Sequence, residues 1–253
     1  MNYGKNEELE MGKKISIVIR TYNEQKHIRD VLESLKRQTY DNYEIILLDS
    51  ESTDQTLNIA SEYDVKIEHI KKADFNYSYA SNKCVEYANG DIVCFLSGHS
   101  VPVKSTYLEE TIEVFKNEKI GACYGDVIAL PDGSITEKVF NRLGYIKNKI
   151  RGYDNEIKLE TQIHPGIFSC SNASARRELL LKHPFAEELG HGGEDIEVAY
   201  RIIQDGYYVA CVPELLVMHS HGSNLSKFIK EFRAWRRMWV DVETYIGKEK
   251  NEN

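Results

Sequence analysis

The sequence predicts a single α/β domain built on a Rossmann-like, mostly parallel sheet. Three observations predict it. Strand-like and helix-like segments alternate through the first half of the chain, with short connections. The 253 residues are 42% hydrophobic, which is ample for one core of this type. Neither an internal repeat nor an interdomain linker divides the chain.

Residues 1–12 are polar and unpatterned and read as a loose tail. "ISIVIR" (15–20) is a strand. "EQKHIRDVLESLKRQ" (24–38) sets Ile28, Val31, Leu32 and Leu35 on one helix face. "YEIILLD" (43–49) is a second buried strand, "DQTLNIASEY" (54–63) a short helix and "VKIEHI" (65–70) a third strand. A helix follows over about 77–88. The hydrophobic run "DIVCFLSGHSVP" (91–102) is then a buried strand ending in a polar turn. The second half is less regular. Helices are expected at 104–117, 137–150 and 194–206, the last stopped by Gly206. Strands are expected at 121–129, in "YYVACV" and in "ELLVMHSH", with a turn at "PDGS" (131–134). A long helix closes the chain from about Leu225 to Tyr245.

Charge and cysteine content bound the function. A formal net charge of -8 and a pI near 5.6 argue against a nucleic-acid binder, although local positive groups can still hold a phosphorylated ligand. No apolar run reaches the length of about 18 residues that a membrane helix needs, and the N-terminus lacks a signal-peptide apolar region. The expectation is a soluble, cytoplasmic chain. Five cysteines, an odd number without a C-x-x-C pair, read as buried reduced thiols.

Three ordered stretches carry a resemblance: "IVIRTYNEQKHIRDVLESLKRQTYDNYEIILLDSESTDQT", "GDIVCFLSGHSVP" and "PFAEELGHGGEDIEVAYRIIQDGY". Together they resemble the family 2 glycosyltransferases over roughly residues 13–225, and the bacterial rhamnosyltransferase-like branch in particular. The resemblance implies the GT-A fold, a single mixed α/β domain that takes a nucleotide-sugar at the carboxyl edge of its sheet. It divides the chain into a tail (1–12), a domain over 13–224 and a C-terminal helix and tail (225–253). Within the domain, 13–100 is the nucleotide-binding half and 101–224 the acceptor and catalytic half.

The resemblance carries site residues with it. Thr21, Asn23 and Glu24 line the nucleotide slot, Asp49 sits against base or ribose, and Ser52 adds a contact. Asn82, in "FNYSYASN", faces the donor diphosphate. The competing reading for Asn23 and Thr53 is helix capping; Asp54 orients the turn, and Tyr77 and Tyr79 are packing residues.

The main departure is at residues 97–99. Most of the family ends this strand in a D-x-D-like motif whose carboxylate ligates a divalent metal; here it is Ser97-Gly98-His99. The polypeptide N-acetylgalactosaminyl transferases, which share the GT-A fold, end it in D-x-H and add a later histidine. His99 falls on the histidine of that motif, and His219 and His221 offer later ones. Two readings stay open. His99 with His219 or His221 holds a divalent cation, Mn²⁺ or Mg²⁺, with imidazole favouring the former. Alternatively no metal binds and His99, next to Gly98, touches a donor phosphate directly. His27, His69 and His183 read as ordinary; His164 and His191 lie in loops able to close on the site.

Transfer of a sugar to a hydroxyl needs a base. "GHGGEDIEVAYRI" supplies a glycine loop and two carboxylates opening a helix. The resemblance makes Asp195 the base, with Glu194 the alternative, and the chemistry a single inverting displacement; helix-dipole pairing is the bland explanation of both acids. Gly190, Gly192 and Gly193 suit a loop whose backbone approaches ligands closely. The terminal helix carries Phe228, Phe232, Trp235 and Trp239 with Lys227, Lys230, Arg233, Arg236 and Arg237. It reads as a helix packed on the core, or as a contact with anionic lipid or a lipid-linked glycan acceptor at the membrane face.

The sequence therefore predicts an inverting glycosyltransferase using a nucleotide-diphosphate sugar and a glycan or lipid-linked acceptor, in bacterial glycan assembly, with no nucleic-acid partner. A nucleotidyltransferase would need a glycine-rich loop after the first strand, and "RTYNE" has none. A non-catalytic sugar-binding module is the remaining alternative, and "GGED" argues against it.

Overall fold

The computed structural model describes residues 12–139, 156–222 and 225–252. Nearly all of the expected N-terminal tail, and residues 140–150 of the helix expected at 137–150, lie outside the described residues.

The first half alternates as expected. Strands β1 (Ile15–Thr21), β2 (Tyr43–Asp49), β3 (Lys66–His69) and β4 (Ile92–Ser97) are joined by helices α1 (Ile28–Lys36), α2 (Thr56–Ala60) and α3 (Tyr77–Tyr87). β1 pairs in parallel with both β2 and β4, and β2 with β3. Their registers bring the carboxyl ends level: Thr21 lies opposite Asp49, Asp49 opposite His69, and Arg20 opposite Ser97. Every loop that leaves these ends therefore opens on one edge of the sheet.

The second half adds β5 (Val101–Pro102), α4 (Tyr107–Phe115), β6 (Ile120–Ile128), β7 (Lys158–Glu160), β8 (Asn172–Arg176), α5 (Arg177–Lys182), α6 (Glu194–Gln204), β9 (Tyr208–Met218) and α7 (Leu225–Glu252). Among the described residues the nine strands form one sheet in the order β3-β2-β1-β4-β8-β6-β9-β5, with β7 on β9. β8 runs antiparallel to both β4 and β6. This strand inverts the direction in mid-sheet and makes the whole mixed.

Strand alternation divides the interior into two layers. Ile17, Ile19, Leu47, Cys94 and Leu96 face α1 and α4; Val18, Ile46, Leu48, Val93 and Phe95 face α3, α6 and α7. The helix face read from the sequence (Ile28, Val31, Leu32, Leu35) is the one buried in α1. All five cysteines are free, and four are buried.

The structure changes two expectations of the second half and bears out one reading of the closing helix. "YYVACV" and "ELLVMHSH" are one strand, β9, running through Pro213; the proline falls where the β6–β9 register shifts, so the ladder needs no amide from it. β8 carries the sequence NASAR, without a strand's alternation, yet all five residues are buried. The Asn172 amide explains how: Nδ2 donates to the carbonyls of Asp126 and Leu215 at 3.0 and 2.7 Å, and Oδ1 accepts from Tyr107 Oη at 2.8 Å. Finally α7 is part of the core. It buries Val242 and Ile246 and packs Met238, Trp239 and Tyr245 against the same layer as α6.

Candidate active site

The level strand ends, the segment before β8, the first turn of α6 and residues 234–238 of α7 line a cleft of about 660 Å³ at the carboxyl edge. Of the residues expected there, Thr21, Glu24, His99, Glu194, Asp195, His219 and His221 line it.

The acids come from the start of α6. Gly193 caps this helix with φ of 93°, and a Cβ there would lie 2.4 Å from Val242 Cγ2, so only glycine lets α7 cross so close. Gly192 and Gly193 pack against Met238 and Val242 of α7, and Gly192 also lines the cleft. Asp195 Oδ1 accepts from its neighbour's amide, Ile196 N, at 2.8 Å. Burial pushes both carboxyls up, and Asp195 beside it pushes Glu194 further. The Arg20 guanidinium opposes the rise in both. It is held by Ser81 Oγ at 2.8 Å and by the Tyr77 carbonyl at 3.3 Å. The two carboxyls therefore titrate as a pair, above the ordinary carboxylate range.

Opposite stand three imidazoles. One nitrogen each from His99, His219 and His221 lie within 4.8 Å of one another. His219 Nε2 and His221 Nε2 are 3.1 Å apart, and the His99 and His219 ring centroids 4.5 Å apart. The outer nitrogens are fixed from behind: His99 Nδ1 lies 2.9 Å from Glu24 Oε1, and His219 Nδ1 lies 2.9 Å from Ser100 Oγ and 3.2 Å from Ser97 Oγ. Gly98 permits the first of these, because a Cβ there would lie 2.5 Å from Glu24 Cγ. His99 Nε2 is buried with no hydrogen-bond partner. Burial, then the neighbouring rings, push His219 down to about 2 and lower His221. Convergent imidazoles oriented by a carboxylate and by hydroxyls, with one buried nitrogen unpaired, fit a divalent cation of the imidazole-binding kind.

The other expected donor contacts are placed differently. Asp49 is fully buried behind the wall, where Oδ2 accepts from Ser52 N at 2.9 Å and Oδ1 lies 3.5 Å from Thr21 Oγ1. Asn23, at φ of 55°, takes the Thr53 amide on Oδ1 at 2.8 Å, while its own amide donates to Ser52 Oγ at 2.8 Å. Asn23 and Ser52 thus stitch the β1–α1 and β2–α2 loops together. Asn82 is corrected outright: its amide exchanges two hydrogen bonds with the Phe185 backbone, at 2.8 and 3.0 Å, and ties α3 to the loop before α6. Gly98 is corrected too, since it lies buried beneath Glu24 and offers space rather than a contact. Neither lines the cleft. His191 does line it, whereas His164 is bound 2.9 Å from Glu160 away from it.

Further residues complete the wall, among them Tyr77, expected as a packing residue but exposed here, and Trp235 of the closing helix. Tyr22, Lys72, Phe75 and Tyr77 form an aromatic end, with Lys72 Nζ 4.1 Å from the Tyr22 ring centroid. Arg20 was legible as a charge closing a buried strand. Trp235 and Met238 reach in from α7, and only packing reveals which of that helix's aromatic residues do so.

The sequence profile described as "Glycosyl transferase family 2" matches residues 16–183, more than half of the chain. Among curated proteins, the O-antigen chain rhamnosyltransferase WbaN of Salmonella anatum is 29% identical over 82% of this chain; the match spans 66% of that protein. Among solved structures, the mannosyltransferase PcManGT from Pyrobaculum calidifontis, in complex with GDP-Man and Mn²⁺, matches 83% of this chain and 58% of its own at 20% identity and a TM-score of 0.60. GalNAc-T7 with UDP, GalNAc and Mn²⁺ matches 84% of this chain and 45% of its own at 19% identity and a TM-score of 0.64. At these identities the two structures speak for the shared fold.

Proposed function

Since the chain belongs to glycosyl transferase family 2, we propose that it moves a sugar from a nucleotide-diphosphate donor to a hydroxyl of a glycan or lipid-linked glycan, inverting the anomeric centre. The observation that carries this reading is a juxtaposition. One cleft holds an ionisable carboxylate, Asp195, and a cluster of three oriented imidazoles. A base and a seat for a leaving diphosphate are the two things such a displacement needs.

The donor's base and ribose take the aromatic end near Tyr22 and Lys72, with Thr21 on the wall. Asp49, Asn23 and Ser52 support that end by fixing the two loops. His99, His219 and His221 would hold a divalent cation, and Glu24 keeps His99 turned toward it. That cation, when bound, neutralises charge on the departing diphosphate. Asp195 accepts the proton of the acceptor hydroxyl as the new C–O bond forms and the bond to the diphosphate oxygen breaks. Burial and mutual repulsion disfavour a double charge on Glu194 and Asp195, so the pair offers one carboxylate as the base.

No described helix is long and apolar enough to cross a membrane. We extend the proposal to peripheral contact through α7. Lys230, Arg233, Arg236 and Arg237 are exposed on it, while Val242 and Ile246 are buried. Reversing the charge of Arg233, Arg236 and Arg237 should remove salt-sensitive binding to anionic liposomes; an intact chain that ignores such liposomes at low salt sinks this part.

Thermal shift against UDP, GDP and dTDP, each with and without Mn²⁺, tests the main reading. One nucleotide should stabilise the fold, and more strongly with the ion. A chain that none of them stabilises, and that hydrolyses no nucleotide-sugar, is a non-catalytic module instead.

A further inference from the structure

Two of the three converging imidazoles stand where the sheet has already ended. The β6–β9 ladder closes with Ile128 opposite Met218, and β9 stops at Met218. One more backbone bond, from His219 N to the Ile128 carbonyl at 2.8 Å, carries the pairing a residue further. Beyond it two side chains stand in for the ladder. Ser220 Oγ accepts from Leu130 N at 3.0 Å, and Glu137 Oε1 accepts from His221 N at 2.8 Å. His219, Ser220 and His221 are thus each tied to the segment 128–137. We propose that Ser220 and Glu137 are positioning residues for the imidazole cluster: they fix the backbone that carries His219 and His221, so that the rings converge before a divalent cation arrives. This rests on the cation reading above and adds to it the residues that prepare the site.

The segment is shaped to receive both contacts. Leu130-Pro131-Asp132-Gly133 is a turn closed by Gly133 N on the Leu130 carbonyl at 2.9 Å. A Cβ on Gly133 would lie 2.5 Å from Ser220 Oγ, so a larger residue would push the hydroxyl off the turn. Ser134 and Glu137 then cap the helical residues 135–139 reciprocally. Glu137 N donates to Ser134 Oγ at 3.2 Å, and Ser134 N to Glu137 Oε2 at 2.9 Å. One carboxylate oxygen serves this cap while the other reaches His221. The cap therefore holds the Glu137 side chain, and that side chain holds His221. Asp132 ties the same turn to Lys26, just ahead of α1, through an exposed ion pair.

Fixing the backbone matters because the geometry is demanding. Alternate residues of a strand stand roughly 6.5 Å apart, whereas His219 Nε2 and His221 Nε2 are 3.1 Å apart. His99 and His219 are each oriented through Nδ1, by Glu24 and by Ser97 with Ser100. The His221 ring has no such support: among the described residues it hydrogen-bonds only to His219. Its place depends on its backbone, whose amide Glu137 holds and whose carbonyl accepts from Lys227 Nζ at 3.1 Å.

The metal-free chain and its titration with Mn²⁺ test this. Ser220→Ala removes the acceptor of Leu130 N. Glu137→Gln keeps the length of the side chain but leaves one oxygen for two amides. In NMR of the metal-free chain at fixed pH, the His219 and His221 ring resonances should shift or broaden in both variants. Mn²⁺ affinity, read by calorimetry, should fall about tenfold in each. Gly133→Ala, which presses on Ser220 from the other side, should act in the same direction. Asp132→Ala cuts only the exposed ion pair of the same turn and should leave both readouts as they are. A role confined to folding would lower stability in chelator and move neither readout, and that result overturns the proposal. An equal response to Asp132→Ala, or rings that move while Mn²⁺ affinity holds, overturns it too. A native chain that binds no Mn²⁺ defeats the cation reading itself, and the ring resonances then decide the positioning alone.

Discussion

Strands β1 to β4 and strands β6, β8 and β9 belong to one sheet, yet they build the cleft by different means. The first group is parallel, apolar and level at its carboxyl ends. Its loops are locked to one another by short polar side chains: Asn23 takes the Thr53 amide, Asp49 the Ser52 amide, and Asp54 the Gln25 amide. The second group runs in both directions and has one strand with hardly any apolar bulk. It delivers side chains proposed for the chemistry, Asp195 from the helix that precedes β9 and His219 with His221 just beyond its end. A scaffold of repeating units shapes a slot, whereas an irregular addition equips it. Substitutions in the two regions should therefore fail in different ways.

The largest effect is expected at the equipped end. Asp195→Asn keeps the shape of the side chain but cannot take a proton, so turnover should fall by about a hundredfold or more with nucleotide binding intact. Near-normal turnover would transfer the role to Glu194. The fold of the second region should break at Asn172. Asn172→Ala takes from the Tyr107 hydroxyl its acceptor and from the Asp126 and Leu215 carbonyls a donor, at a cost of about 2–4 kcal/mol in chemical denaturation. A loss below about 1 kcal/mol would show that water replaces the amide. Glu24→Gln joins the two regions, since a scaffold residue there orients an imidazole. Affinity for Mn²⁺ should drop by roughly tenfold to a hundredfold while Asp195-dependent steps are untouched. Unchanged metal affinity would separate Glu24 from the His cluster.

The smallest expected effect is a displacement of the pH profile. The base works when deprotonated, and burial raises the Asp195 carboxyl above the ordinary carboxylate value of about 3.9. Activity should consequently fall as pH drops through a point above that value. Arg20 opposes the rise, so Arg20→Met should move the acid limb to still higher pH. An acid limb that stays in place would mean that the guanidinium acts only through Ser81 and Tyr77.

What each level of description supplied follows from the range of the forces concerned. Periodicity and turn residues are local, so the alternating elements of the first half, the α1 face, the acids after the glycine loop and the candidate histidines could all be read along the chain. The family too was legible, because its ordered motifs mark the ends of elements that the local pattern fixes. Tertiary structure alone decided the place of β8, whose burial is satisfied by partners more than 40 residues away in sequence. It also decided that Asn82 binds the Phe185 backbone, and that Gly98 makes room for Glu24. Most of all it decided that His99, His219 and His221 converge, since residues 120 or more apart share a point in space only through the crossing of β4, β8, β6 and β9.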